Sequence, residues 1–159
     1  MSKWQLMKTL SESLLPKDTH LLLKGSNPGD ILEELLLPLR HDSRVRDWEI
    51  FRSSLVPSPS AATPGDDSCI MSLHHCRTDS ISSLVLAAGK SQSGIATSET
   101  GIKTHLYFIA GIPSALNTEY LRVLGAISRV CRDPDSITEL LAATNPVDFI
   151  SILEKGCSR

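Results

Sequence analysis

Residues 69–79 of this 159-residue chain read Cys-Ile-Met-Ser-Leu-His-His-Cys-Arg-Thr-Asp. A short apolar run passes straight into two histidines, a cysteine, an arginine, a threonine and an aspartate. That mixture suits nucleophilic chemistry at phosphorus. A neutral imidazole at pH 7 can attack a phosphoryl group and hold it as a phosphoramidate. Such a transfer needs in-line positioning and donors for the phosphoryl oxygens. Arg77 offers a fixed fork of N–H donors, and Thr78 a hydroxyl. Cys69, His74, His75 and Cys76 also raise zinc, but weakly. They lack a CxxC pair, and neighbouring strand residues point to opposite faces. No metal or other cofactor is expected.

Strand ends are where a rigid scaffold presents such groups. Residues 69–73 are expected to form the strand leading in, with 83–88 and 105–110 (His-Leu-Tyr-Phe-Ile-Ala) as two further strands. Residues 20–24 read as a short buried strand. A helix is predicted over 4–15, where Trp4, Met7, Leu10 and Leu14 recur at helical spacing. Asn27-Pro28-Gly29-Asp30 opens a second helix that stops near Pro38, and 47–55 form a third. Three more follow Asn117, Asp133-Pro134 and Asn145-Pro146, with Gly156 as a C-terminal cap. The Pro-rich segment 56–67 reads as loop, and 89–104 as loop or irregular edge. Strands interleaved with helices predict an α/β fold, a small mixed β-sheet flanked by helices.

Composition narrows the function. A net charge of −2 and few aromatics give no footprint for nucleic acid or an anionic membrane. Lys3, Lys8 and Glu12 interrupt the apolar residues of the N-terminus, so it does not read as a signal peptide. No apolar run approaches the ~20 residues that span a bilayer. The expected location is the cytoplasm, where Cys69, Cys76, Cys131 and Cys157 stay reduced. The length suits one domain over 1–159.

Residues 70–79 resemble the segment G-I-A-I-P-H-A-R-T-D of enzyme IIA domains from the bacterial phosphoenolpyruvate-dependent sugar phosphotransferase system. The resemblance is to the fructose–mannitol class, which includes the nitrogen-regulatory branch. It aligns His75 with the phosphorylated histidine and His74 with the preceding proline. It continues through Leu84–Ala88, Gly101-Ile102-Lys103, Leu106–Ile109, Leu121–Asp133 and Leu140–Ala143. The resemblance implies a three-layer sandwich and a phosphoryl carrier or regulator. His75 would accept a phosphoryl group from an HPr-like phosphocarrier and serve an enzyme IIB domain or regulated target proteins. Arg77, Thr78, Tyr120 and His74 would line the phosphoryl site. Arg52 would match an arginine ahead of the active-site loop.

Three positions depart from the family pattern. Tyr120 stands where E-H-L supplies a second histidine, and a tyrosine carries no positive charge at pH 7. Asp66-Asp67-Ser68-Cys69 replaces a glycine-rich approach, and His74 replaces the proline. These departures motivate an alternative: a degenerate, non-phosphorylated enzyme IIA-like module that regulates other proteins by binding them.

Overall fold

The computed structural model describes residues 2–57, 61–63, 66–96, 103–115 and 118–158, the side chains of 61–63 and 66–70 excepted. Helix α1 (Lys3–Ser13) opens at Ser2, whose hydroxyl accepts from the Gln5 N–H, and buries Leu6 and Leu10. The chain then extends at once into strand β1 (Leu14–His20). This displaces the strand expected over 20–24. Leu14 and Thr19 pair with Leu86 and Ala88 of strand β5 (Val85–Ala96), while Leu22 beyond β1 is 80% exposed. The apolar look of 20–24 comes from Leu21 and Leu23, which pack against the two cores beyond the end of β1, where the Leu23 N–H still donates to the Lys90 carbonyl at 3.2 Å.

Helix α2 (Pro28–Leu36) is capped by Asn27, which accepts from the Asp30 N–H at 2.9 Å. Helix α3 spans Trp48–Ser54 and is capped by Asp47. Helices α4 (Thr118–Val130), α5 (Pro134–Ala142) and α6 (Pro146–Glu154) follow the last strand. Asn145 caps α6 through the Asp148 N–H, whereas Asp133 binds the Ser136 hydroxyl at 2.6 Å.

Segment 56–67, expected as loop, carries strands β2 (Val56–Pro57) and β3 (Ala61–Thr63) and the start of β4 (Asp66–Thr78). Both short strands run antiparallel along β4. Pairing covers backbone groups that a bare edge would leave open, and an edge strand tolerates the missing N–H of Pro57. Strands β5 (Val85–Ala96) and β6 (Lys103–Pro113) likewise extend into the segment expected as loop or irregular edge at 89–104. Their register slips between Lys90 and Ile95, where Gly94 adopts φ +75°; residues 97–102 lie outside the described part.

The sheet order is β1-β5-β6-β4-β2, with β3 also on β4. β1 is parallel to β5 and β4 to β6, while β5 and β6 are antiparallel, so the sheet is mixed. One face packs under α1, α4, α5 and α6 through Leu10, Leu86, Phe108, Val123, Leu140 and Phe149. The other packs under α2 and α3 through Ile31, Leu35, Phe51, Val85 and Ile109. The result is the expected three-layer α/β sandwich. Among the described residues no helix is long and apolar enough to cross a membrane.

Two buried positions lock the α4 side. Lys90, 4% exposed, donates from Nζ to the carbonyls of Leu140, Leu141 and Ala143. It thereby caps the C-terminus of α5 with positive charge. Gly156 lies in a 3-10 turn (Lys155–Ser158) and, unlike a left-handed helix cap, has no positive φ. Its requirement is space: a Cβ there would sit 2.2 Å from the Ala126 carbonyl oxygen. Gly156→Ala is therefore expected to lower stability by about 2–3 kcal/mol, read as a reduced midpoint in urea denaturation.

Candidate functional site

Strand β4 does not end before the histidines. It runs on to Thr78, so successive side chains from Met71 to Thr78 alternate between the two faces. His75 pairs with Ala110 of β6, a residue of the α4-side core, and His74 with Ile109, a residue of the α2-side core. The two histidines thus project from opposite faces of one strand.

His75 is half-buried on the α4 face, flanked across the sheet by Ala110 and Val56. Arg77 lies two residues on, on the same face and about 7 Å along the strand. Its exposed guanidinium donates from Nε and Nη2 to the Ser114 carbonyl at 3.0 and 2.6 Å. That contact aims it toward the connection from β6 to α4. Strand β6 ends at Pro113, opposite Thr78, so His75 and Arg77 lie toward the end of the sheet from which the chain passes on to α4. Tyr120 belongs to the first turn of α4, half-buried against the α4-side core. Backbone N–H groups at a helix start favour anions, and the developing charge of a phosphoryl group is one.

Beside this end, a cleft of about 320 Å³ opens between α1 and α4. Gln5, Lys8, Thr9, Ser83, Glu119 and Tyr120 line it. The Thr9 hydroxyl donates to the Glu119 carboxylate and ties α1 to the start of α4.

The remaining predicted residues lie elsewhere. His74 faces a crevice of about 20 Å³ under α2, with Pro28, Ile31, Leu35, Ser72 and Tyr107. Burial lowers its basicity, and the like charge of a protonated His75 lowers it further. Arg52 sits on α3, on that same side of the sheet, and pairs with Glu33 of α2. Thr78 closes the turn after β4, accepting from the Ser80 N–H at 3.2 Å. Burial pushes the Cys76 thiol up to about 11, so it stays protonated and unreactive at pH 7. Among the described residues no three potential metal ligands gather. The side chain of Cys69 lies outside them.

Sequence reading missed the residues that hold this end in place. Arg44 donates to Asp42 and to the Ser13 carbonyl, and pairs with the buried Asp18. Its own carbonyl accepts from the Ser82 N–H at 2.9 Å, and Arg46 N–H reaches the Ser80 carbonyl, pinning the turn after β4. Asp42 is local, but the partners that tie Arg44 to α1, β1 and the turn after β4 lie 26 to 38 residues away, so the sequence around it does not signal the brace.

A model of the family "Phosphoenolpyruvate-dependent sugar phosphotransferase system, EIIA 2" matches residues 13–156. Among solved structures, the nitrogen regulatory protein IIA-Ntr from Neisseria meningitidis aligns with a TM-score of 0.67 at 16% identity, over 89% of this chain and 97% of that one. The mannitol-specific cryptic phosphotransferase enzyme IIA CmtB from Escherichia coli aligns with a TM-score of 0.62 at 11% identity, over 92% of this chain and 99% of that one. At these identities the likeness is one of fold. No curated protein sequence matches at a significant level.

Proposed function

From the premise that this chain belongs to the phosphoenolpyruvate-dependent sugar phosphotransferase system EIIA 2 family, we propose that it is a phosphoryl carrier or regulator loaded on His75. The observation that carries this reading is the placement of His75 and Arg77 on one face of β4, toward the end of the sheet from which the chain passes on to α4. The donor is an HPr-like phosphocarrier in the cytoplasm. A ring nitrogen of neutral His75 attacks phosphorus in line, and the P–N bond to the donor histidine breaks. The bonding pair returns to the donor ring, which regains a proton as the other nitrogen of His75 releases one. Arg77 and the start of α4 stabilise the charge on the phosphoryl oxygens. Tyr120 donates a hydrogen bond there, and Thr78 shapes the turn beneath. The loaded histidine then serves an enzyme IIB domain or a target protein that reads its charge. Family membership across residues 13–156 favours this over a module that binds partners without taking up phosphoryl.

Intact-mass measurement after incubation with phosphoenolpyruvate, enzyme I and the phosphocarrier tests the proposal. Gain of one acid-labile phosphoryl group is expected. No gain, while a known enzyme IIA loads in the same mixture, overturns it. Arg77→Gln should slow loading roughly 100-fold, the usual cost of losing one donor at a developing charge. An unchanged loading rate in stopped-time mass spectra would remove Arg77 from the site.

A further inference from the structure

A phosphoryl group on His75 would bring a charge of about −1.5 to −2 onto the α4 face. Tyr120 has no positive charge to set against it. Arg77 has one, with two of its N–H groups already given to Ser114. Of the two residues beside His75 on the strand, Cys76 stays a neutral thiol, which leaves His74 to respond near neutral pH. We infer that His74, from the opposite face of β4, is the titrating electrostatic partner of the phosphoryl group on His75. Its ring takes a proton from solvent when His75 is loaded and returns it when His75 is unloaded. This inference rests on the carrier reading above.

The geometry supports it in three ways. First, the two rings are separated by the thickness of one strand, on the order of 10 Å or less. The strand is flanked by Ile109 and Ala110 of β6 and by Val56 and Pro57 of β2. The backbone of β4 and its neighbours, rather than open solvent, fills the direct path between the rings.

Second, nothing else among the described residues sets the charge of His74. The α2 residues against it are Pro28, Ile31, Leu32 and Leu35, all apolar. The acids of α2 are engaged away from the crevice. Asp30 is held by Asn27, Glu33 by Arg52, and Glu34 by the amides of Lys24 and Gly25. From β6 comes Tyr107, whose phenol burial pushes up to about 12, so it stays neutral. From β4 come Ser72, which does not titrate, Cys76, whose thiol burial pushes up to about 11 so that it stays neutral, and His75 itself.

Third, the sign of the coupling follows from the charges on the two faces of the strand. The positive charge of a protonated His75 disfavours a proton on His74. A negative phosphoryl group at the same place favours one. The crevice of about 20 Å³ is large enough for one water to solvate the protonated ring.

At this separation the negative phosphoryl charge raises the His74 pKa. Coupling is reciprocal, so a protonated His74 equally favours the loaded state. The loaded fraction should therefore rise as pH falls. The window runs from the loaded ring's pKa down to the unloaded one, which lies below the ordinary 6.5.

The test uses variants that do not depend on any donor. The His74 pKa is measured by 15N NMR of the imidazole in His75→Glu and His75→Gln. A value higher in His75→Glu by roughly half a unit or more is expected, since glutamate carries about half the phosphoryl charge. Equal values overturn the inference. In the second arm, the loaded fraction at equilibrium with the phosphocarrier is followed from pH 5.5 to 8 in wild type and His74→Gln. Wild type should gain up to several-fold over His74→Gln at the acid end. Parallel profiles overturn the inference even where loading itself succeeds. If wild type takes up no phosphoryl group while His75→Glu still raises the His74 value, the carrier reading falls and the coupling stands.

Discussion

His75→Ala is expected to take up no phosphoryl group from enzyme I and the phosphocarrier under conditions that load the wild type fully. The loss should be complete, because the substitution removes the atom that forms the P–N bond, whereas loss of a stabilising donor only slows the step. The neighbouring histidine should not rescue it. His74 remains in place, but its ring lies under α2 with Ile31 and Leu35, on the face away from Arg77 and α4. An in-line approach by a donor protein would require α2 to lift. His74→Gln should therefore still load, whereas His75→Ala should not, as read by intact mass with and without an acid step. Loading that persists in His75→Ala and vanishes in His74→Gln would assign the chemistry to the wrong face of β4 and sink the site described here.

The contrast between the two histidines shows what the sequence could convey. Their alternation follows from strand geometry alone, once the strand is known to continue past Leu73. That continuation depends on β6 pairing with β4 as far as Thr78 and on β2 covering its outer edge, contacts between distant segments. The Asx-Pro helix starts were legible because each Asx side chain binds a group three residues on: a backbone N–H for Asn27 and Asn145, the Ser136 hydroxyl for Asp133. Strand β1 was not. Its residues Leu15-Pro16-Lys17-Asp18 carry no strand pattern, and the burial of Asp18 makes sense only with Arg44, 26 residues on. Arg52 is similar: its partner Glu33 is 19 residues away, on a helix whose position over the sheet the sequence does not disclose. Lys90 looked like the start of a polar loop, yet its ammonium closes the end of a helix 50 residues later. The chemistry-bearing cluster at 70–79 was readable because it is local. The groups that brace it were not, because each is a tertiary contact.

Bracing of that kind predicts the largest stability effect. Arg44→Ala should cost about 3 kcal/mol at pH 7, the low end of the penalty for breaking a buried ion pair from one side. The Asp18 side chain is fully buried and that of Asp42 is 5% exposed. Arg44 satisfies both, with 2.8 Å to Asp42 and 3.4 Å to Asp18. It also binds the Ser13 carbonyl at the end of α1. Removing the guanidinium leaves two carboxylates sharing Lys17, whose side chain is 54% exposed and so only partly compensates. The sign of the pH dependence follows from Asp42. Hydrogen bonds from Arg44 hold its carboxyl far below the usual carboxylate range. A depressed value contributes stability that is present above the ordinary 3.8 and is lost as pH falls through the folded value. Arg44→Ala forfeits that contribution, so the gap between wild type and variant should narrow as pH drops below 4. Urea denaturation at pH 7 and at about pH 3 measures both. A loss under ~1 kcal/mol at pH 7 would mean that Lys17 and water replace the guanidinium. A gap that stays constant into acid would mean that Arg44 acts through packing and its bond to the Ser13 carbonyl. A narrowing gap would mean that electrostatics hold the end of α1 and the segment that pins the turn after β4, and with them the strand end that presents Arg77 beside His75.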